Sequence, residues 1–534
     1  MALYDAAPTP DSPDLRAITA AALTTATAAG ATYADVQITV THRELIRFTP
    51  RQVQVDRFDR LPLDVYCYER YGIPGPARST VVGIGVRALV RGYWGFAGFD
   101  GIPTTDIAAT LGTTAATQAQ YAARGPARSV ELAPTPVVTG TWAMPGVDPF
   151  TVPLSEKLDV AGALADAVCE TPYGVEISCD LQLQTEMRTF ASSAGSATTQ
   201  TTYCIGADCN ISALKDQAID GVVRTADFMT PAGIGWDVWC AGLDEQARTL
   251  VDHTASMQTL VNTWRRGEPG RYDVVFNAYA TARLLDETLG AATELDRAMG
   301  YLANTLGTSY LHDPVAMLGI EHVAAPAITV TANRNMPGGA ATVRWDDEGV
   351  VPRDIALVTN GVLTDFQTTR ESSSWLAPVY ARLGRPVISN GCAYAAGARM
   401  PLTQRRPNLV LQPGTATQSF EDLVKSTKKG VAVIGGTCSG DMQALNGMGK
   451  PEFVFEIVDG QLTRSLGDFQ YIYRAPEVWR NVVALGGPDS ARSFGFVHTR
   501  DASDTSRGDR GTSAAHSVSA VPMKVANVAF TTIL

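Results

Sequence analysis

Cysteine is scarce in this chain, with eight in 534 residues. Their spacing lays out no disulfide framework, and Cys204 and Cys209 form no paired Cys-x-x-Cys zinc site. A reducing cytoplasm is the expected home. Long apolar runs are absent as well: none reaches the roughly 18 residues that a membrane-crossing helix needs. The first thirty or so residues lack the basic region of a secretory signal, and their Ala/Thr run is amphipathic. Positive charge is in deficit. Lys and Arg number 43 against 54 Asp and Glu, for a net charge of -11 and a pI near 5.1. That balance favours solubility and argues against a nucleic-acid partner. What remains is an ordinary globular composition, 45% hydrophobic. The length exceeds one ordinary core, so two or three domains are expected.

Local signals divide the chain. Ser12-Pro13-Asp14 reads as a helix start, with a capping hydroxyl, Pro in the first turn and an acid against the dipole; Gly30 reads as its stop. Residues 34–40 alternate as a half-buried strand, and 47–57 continue the alternation. Two β-rich runs flank Arg91-Gly92, a hairpin signal. Residues 131–150 read as a Pro/Gly/Thr-rich connector, 155–169 and 243–264 have helical spacing, and the turn cluster 265–270 marks a boundary. Beyond it come a buried strand at 272–276, a helix from about Tyr279 to Tyr301, and a mostly β remainder, with Asn360-Gly361 and Asp459-Gly460 as turns. Residues 500–516 read as a polar loop. The expected class is α+β: an N-terminal α+β domain over 1–130, a central one over 131–266, and a mainly β domain over 271–534.

The stretch of greatest chemical content is 285–297, Leu-Asp-Glu-Thr-Leu-Gly-Ala-Ala-Thr-Glu-Leu-Asp-Arg. A zinc peptidase helix needs two neutral imidazoles aimed at one ion and a carboxylate beside them as general base. Glu287 stands where the base would stand, while Asp286 and Ala291 stand where the imidazoles would. Positions i and i+5 lie about 140° apart on a regular α-helix. Two ligands at that spacing converge only through a local bulge, which Gly290 permits. On an undistorted helix, Glu287, Ala291 and Glu294 share one face instead.

Residues 284–310 resemble the core helix of the TldD/PmbA (TldE) family of metallopeptidases. Further matches occur in order: GATYADVQ near the start, GIGVRALVRGYWGFA at 83–97, Asp346-Asp347-Glu348-Gly349-Val350, Asn360-Gly361-Val362-Leu363, Arg370-Glu371, Ser389-Asn390-Gly391-Cys392 and Leu411-Gln412-Pro413-Gly414. The resemblance implies a two-domain α+β architecture whose largely β C-terminal domain carries the metal site. It also implies a cytoplasmic heterodimer that degrades or trims unfolded peptides in an enclosed groove, in which TldD holds zinc and TldE lacks the ligands. In TldD members the helix carries His-Glu-x-x-x-His, and a Cys near the C-terminus is the third ligand. This chain departs at all three points: Asp286 and Ala291 replace the two histidines, and no Cys follows Cys438.

Each candidate has a bland alternative. Glu287 is a general base or a relic carboxylate. Asp286, Glu287 and Glu294 offer oxygen ligands for a hard cation, but adjacent helix residues point apart. His498 or His516 is a replacement ligand or a surface-loop histidine, and His312 and His322 are core or surface histidines. Asp346-Asp347-Glu348-Gly349 lacks EF-hand spacing and reads as a charged, capped turn. Cys392 reads as a buried structural thiol rather than a nucleophile. Gly83 and Gly85 belong to a hairpin rather than a dinucleotide loop, Trp94 and Phe96 read as core, and Arg405-Arg406 and Lys428-Lys429 read as solvated pairs. The expected function is a non-catalytic, TldE-like subunit. It needs no cofactor of its own, zinc being held by a catalytic TldD-like paralogue with an intact His-Glu-x-x-x-His, and it would complete a peptide-binding chamber. The alternatives are an enzyme in its own right using Glu287 with a replaced or absent metal, and a stand-alone binding or assembly protein.

Overall fold

The computed structural model describes residues 13–48, 66–69, 73–76, 78–125, 129–169, 175–213, 226–245, 247–248, 265–397, 400–499 and 513–532. The expected Ser12 cap, the alternation beyond Phe48 and most of the 243–264 helix lie outside these residues.

An α+β arrangement of three large sheets results. The first runs in the order 93–100, 78–90, 33–48, 175–192, 197–213, 139–143, with 226–232 also paired to 197–213. It joins strands from residues 1–130 with strands from 131–266, the two segments expected above as separate domains. Helices Pro13–Ala28 and Thr105–Ala122 pack together over its 78–100 hairpin. Their approach is close enough to require glycine: a Cβ on Gly112 would collide with the Ala22 carbonyl oxygen. Ala22, Ala26, Val36, Ile38, Ile84, Val86, Ala108 and Ala115 fill the core between helices and sheet.

The second sheet has ten strands and the third has six, all from residues beyond 264. The third runs 362–363, 355–359, 330–333, 408–411, 513–520, 492–499, so Arg492–Thr499 is a terminal strand. Three hairpins turn on two residues of positive φ: Arg91 (53°) with Gly92 (83°), Asn360 (50°) with Gly361 (81°), and Asp459 (47°) with Gly460 (78°). These are type I′ turns, whose twist matches that of the paired strands.

The helix Ala278–Leu285 packs against strands of both C-terminal sheets. Asn277 caps it by accepting from the Ala280 N–H at 2.9 Å. Seven of its eight residues are buried, which is how a helix apolar all round behaves. It then widens into a π turn, Asp286–Gly290, closed by the Ala291 N–H donating to the Asp286 carbonyl. Trp479 Nε1 donates to Thr288 Oγ1 at 2.8 Å, and Gln367 Nε2 donates to the Gly290 carbonyl at 2.7 Å. The wide turn is thus held from both sides. No helix among the described residues is long and apolar enough to cross a membrane.

Candidate functional site

The π turn closes between Asp286 and Ala291, the two positions five residues apart that a metal-binding helix would use. It also rotates the residues beyond Ala291 relative to those before Asp286. On a regular helix Glu287 would share a face with Glu294; here the helix ends at Ala292, Glu294 is extended in a bridge to Gln367, and it meets Asp286 on Arg406. Glu287 lies to one side, partly exposed, 3.6 Å from Arg283. Burial and the neighbouring Asp286 push its carboxyl upward against the pull of Arg283.

Arg406 is the centre of the cluster. Its Nη1 donates to Asp286 Oδ1 at 2.7 Å, its Nε faces Glu294 Oε1 at 3.4 Å, and its Nη2 meets His498 Nε2 at 3.1 Å. His516 Nε2 donates to the same Asp286 Oδ1 at 2.8 Å. Relative exposure is 3% for Asp286, 0% for Glu294, 4% for Arg406 and 1% for His516. Arginine can only donate, so His498 Nε2 accepts and its ring is neutral with the proton on Nδ1. Burial and the Arg406 charge both drive its pKa well below the usual histidine value, in keeping with that tautomer. Burial alone would raise the Asp286 carboxyl. Arg406 and His516 outweigh it and hold the group well below the usual carboxylate range.

Several sequence expectations change here. Arg405 and Arg406 are buried in the site rather than solvated, whereas Lys428 and Lys429 are exposed. The expected loop over 500–516 gives way at Ser513 to a strand, Ser513–Ala520, so His516 is a buried strand residue. His498 lies on the adjacent strand, where Phe496 pairs with His516. Both histidines therefore project from one face of the sheet as diagonal neighbours. His312 is exposed and hydrogen-bonds the Tyr310 carbonyl, and His322 sits in an isolated bridge to Val362; neither reaches the cluster. Cys392 is fully buried, and burial pushes its thiol up to about 12, so it is no thiolate.

Arg406 is the site residue that sequence reasoning missed. Two adjacent arginines in an acidic chain look like surface charge, and only their position just before the buried strand Asn408–Leu411 hinted otherwise.

A zinc ion does not fit this pocket. Zinc requires lone-pair donors converging at about 2.0–2.3 Å on one point. Here a guanidinium fills the space, each of its three nitrogens facing a different acceptor, and Ala291 contributes only a methyl. Among the described residues, no three His, Cys, Asp or Glu side chains stand close enough to share an ion.

A second charged cluster stitches the N-terminal sheet to the C-terminal body. Asp346 accepts from the backbone of Glu348, Val350 and Ala393 at 2.9, 2.9 and 3.1 Å. Glu348 receives the Arg370 N–H at 2.7 Å and lies 3.5 Å from Arg87, which grips Asp35; Asp347 pairs with Arg188. Trp94, expected as core, is half-buried, stacks under Arg87 and donates to Glu371 at 3.0 Å. Beside this seam lies a small open cleft lined by Asp35, Gln37, Arg87, Phe96, Asp347 and Met400.

Residues 269–525 match the family model described as the PmbA/TldA metallopeptidase C-terminal domain. A metalloprotease of Methanothermobacter thermautotrophicus is 28% identical over 231 residues, 42% of this chain and 45% of that protein. A metalloprotease of Methanocaldococcus jannaschii is 26% identical over 203 residues, 37% of this chain and 40% of that one. The matched stretch therefore spans less than half the length of these relatives. Among solved structures, TldE from Thermococcus kodakarensis superposes with a TM-score of 0.68 at 15% identity, covering 95% of this chain and 98% of that one. At that identity the likeness concerns the fold.

Proposed function

Because this chain belongs to the TldD/PmbA family, we propose that it is a non-catalytic, TldE-like subunit of a heteromeric peptidase. Its partner would be a TldD-like paralogue with an intact His-Glu-x-x-x-His that holds the zinc. One observation carries this reading: Arg406 occupies the space between Asp286 and His498, while His516 closes directly onto Asp286. A guanidinium cannot activate water as a Lewis acid does, since it offers no coordination position and stays protonated. Glu287, the relic base, is engaged with Arg283 and stands outside the histidine cluster.

The retained scaffold supports a role in peptide handling. Among the described residues Arg492–Thr499 pairs along one side only, with Ser513–Ala520; the strand Ala226–Ala232 lies near it, and Val497 is exposed beside His498. A terminal strand of this kind is a template for an extended peptide. Co-expression with a His-Glu-x-x-x-His paralogue tests the reading. The two chains are expected to co-purify, with peptidase activity that requires both and survives Glu287→Gln in this chain. Peptidase activity of the isolated chain that Glu287→Gln abolishes would favour the enzyme alternative. Failure to pair with any such paralogue would leave the stand-alone reading.

A further inference from the structure

We propose that the Arg406 guanidinium is a built-in cation standing in a divalent-metal position, and that removing it opens a transition-metal site made by Asp286, Glu294, His498 and His516. The inference rests on the metal-independent half of the function proposed above and not on the partner. A chain that never meets a zinc-bearing paralogue would sink that function and leave this proposal standing.

The donor geometry comes first. Three side chains from distant parts of the chain, Asp286, Glu294 and His498, meet one guanidinium, and a fourth, His516, bonds Asp286 from the same sheet face as His498. His498 already aims a lone pair inward, because its partner can only donate. Two imidazoles and two carboxylates make a donor set suited to zinc, cobalt, manganese or iron. The ring Nδ1 atoms of His498 and His516 have no hydrogen-bond partner among the described residues. His516 can therefore move its proton to Nδ1 and release Nε2 as a donor.

Charge comes second. Asp286 and Glu294 are buried carboxylates, and Arg406 supplies the cation between them. Without it, two buried carboxyls lose the cation they share, a costly change unless they protonate or gain another cation. A divalent ion neutralises both. Asp286, Glu294 and His498 now stand 2.7 to 3.4 Å from three different guanidinium nitrogens, and farther from any one shared point. An ion would draw them in to about 2.0–2.2 Å, into the room that the departing side chain vacates.

The test compares the full-length wild-type chain with Arg406→Ala, probed with CoCl2 and ZnCl2. Arg406→Ala is expected to bind close to one equivalent of either ion, to show visible d–d absorption with cobalt, and to gain thermal stability with zinc. The wild type is expected to do none of these, and His516→Ala added to Arg406→Ala should abolish the binding. A folded Arg406→Ala that takes up no ion overturns the proposal, as does a wild type that binds as tightly as the variant. If Arg406→Ala does not accumulate, it is grown with added zinc beside Arg406→Gln. Recovery of folded protein with zinc and its loss with a chelator support the proposal; no folded protein from either variant in zinc-supplemented growth overturns it.

Discussion

Asp286→Ala tests the cluster at its hub. Asp286 Oδ1 accepts from Arg406 and from His516 at once, and the residue is 3% exposed, so solvent screens the loss very little. The substitution leaves Arg406 with Glu294 at 3.4 Å as its remaining carboxylate, and deprives His516 of its acceptor. Breaking a buried ion pair by removing one partner costs about 3–5 kcal/mol, because an undercompensated charge stays behind. For a cooperative unit of roughly 150–250 residues, each kcal/mol moves Tm by about 2–4 °C, so a fall of about 6–20 °C is expected. Differential scanning calorimetry of the full chain reads it. Glu456→Ala serves as the control, removing an Arg464–carboxylate contact of 2.5 Å with the same chemistry on the surface. It should shift Tm far less, since exposed pairs contribute little. Asp286→Ala combined with Arg406→Met should cost less than the sum of the two single changes, which is the signature of direct coupling. An Asp286→Ala shift no larger than that of Glu456→Ala would refute the buried-pair reasoning.

Three other outcomes are expected from the same geometry. His498 is neutral in the folded chain and protonates readily once unfolded, so the unfolded state binds more protons as pH falls below about 6.5. Its contribution is complete above that value and is lost on acidification at up to about 1.4 kcal/mol per pH unit; urea melts of His498→Asn between pH 7 and 5 should show a shallower slope than wild type. Gly290→Ala would place a Cβ 2.7 Å from Leu409 Cδ1, and overpacking of that kind costs about 1–3 kcal/mol; an unchanged Tm would mean that Leu409 yields freely. Trp479→Phe leaves Thr288 Oγ1 without its buried indole donor and should cost about 1–3 kcal/mol by chemical denaturation.

The features legible in the sequence are those set by neighbours in the chain. Arg91-Gly92, Asn360-Gly361 and Asp459-Gly460 announce their turns because positive φ at two successive residues is a local demand. The wide turn before Ala291 is only half legible: Gly290 permits it, but the sequence leaves an undistorted helix equally open. The centre of the site lies beyond that reach. Arg406 is 120 residues from Asp286 and His516 is 230 residues away. Nothing in the dipeptide Arg405-Arg406 distinguishes a buried counter-charge from a solvated one. The strand character of 513–516 is hidden by the polar, Gly-rich run before it, and pairing with Arg492–Thr499 decides it. The helix-face expectation for Glu287 and Glu294 fails for a related reason: after the wide turn the helix ends at Ala292, and a bridge to the distant Gln367 sets where Glu294 lies.

Arg406 is proposed to stand where a metal ion would. The direct measurement is the zinc content of the isolated wild-type chain, by elemental mass spectrometry after incubation with ZnCl2 and exhaustive dialysis without chelator. A content far below one ion per chain is expected, with no change in Tm on zinc addition. Near-stoichiometric zinc that survives the dialysis and is lost on His516→Ala would contradict it.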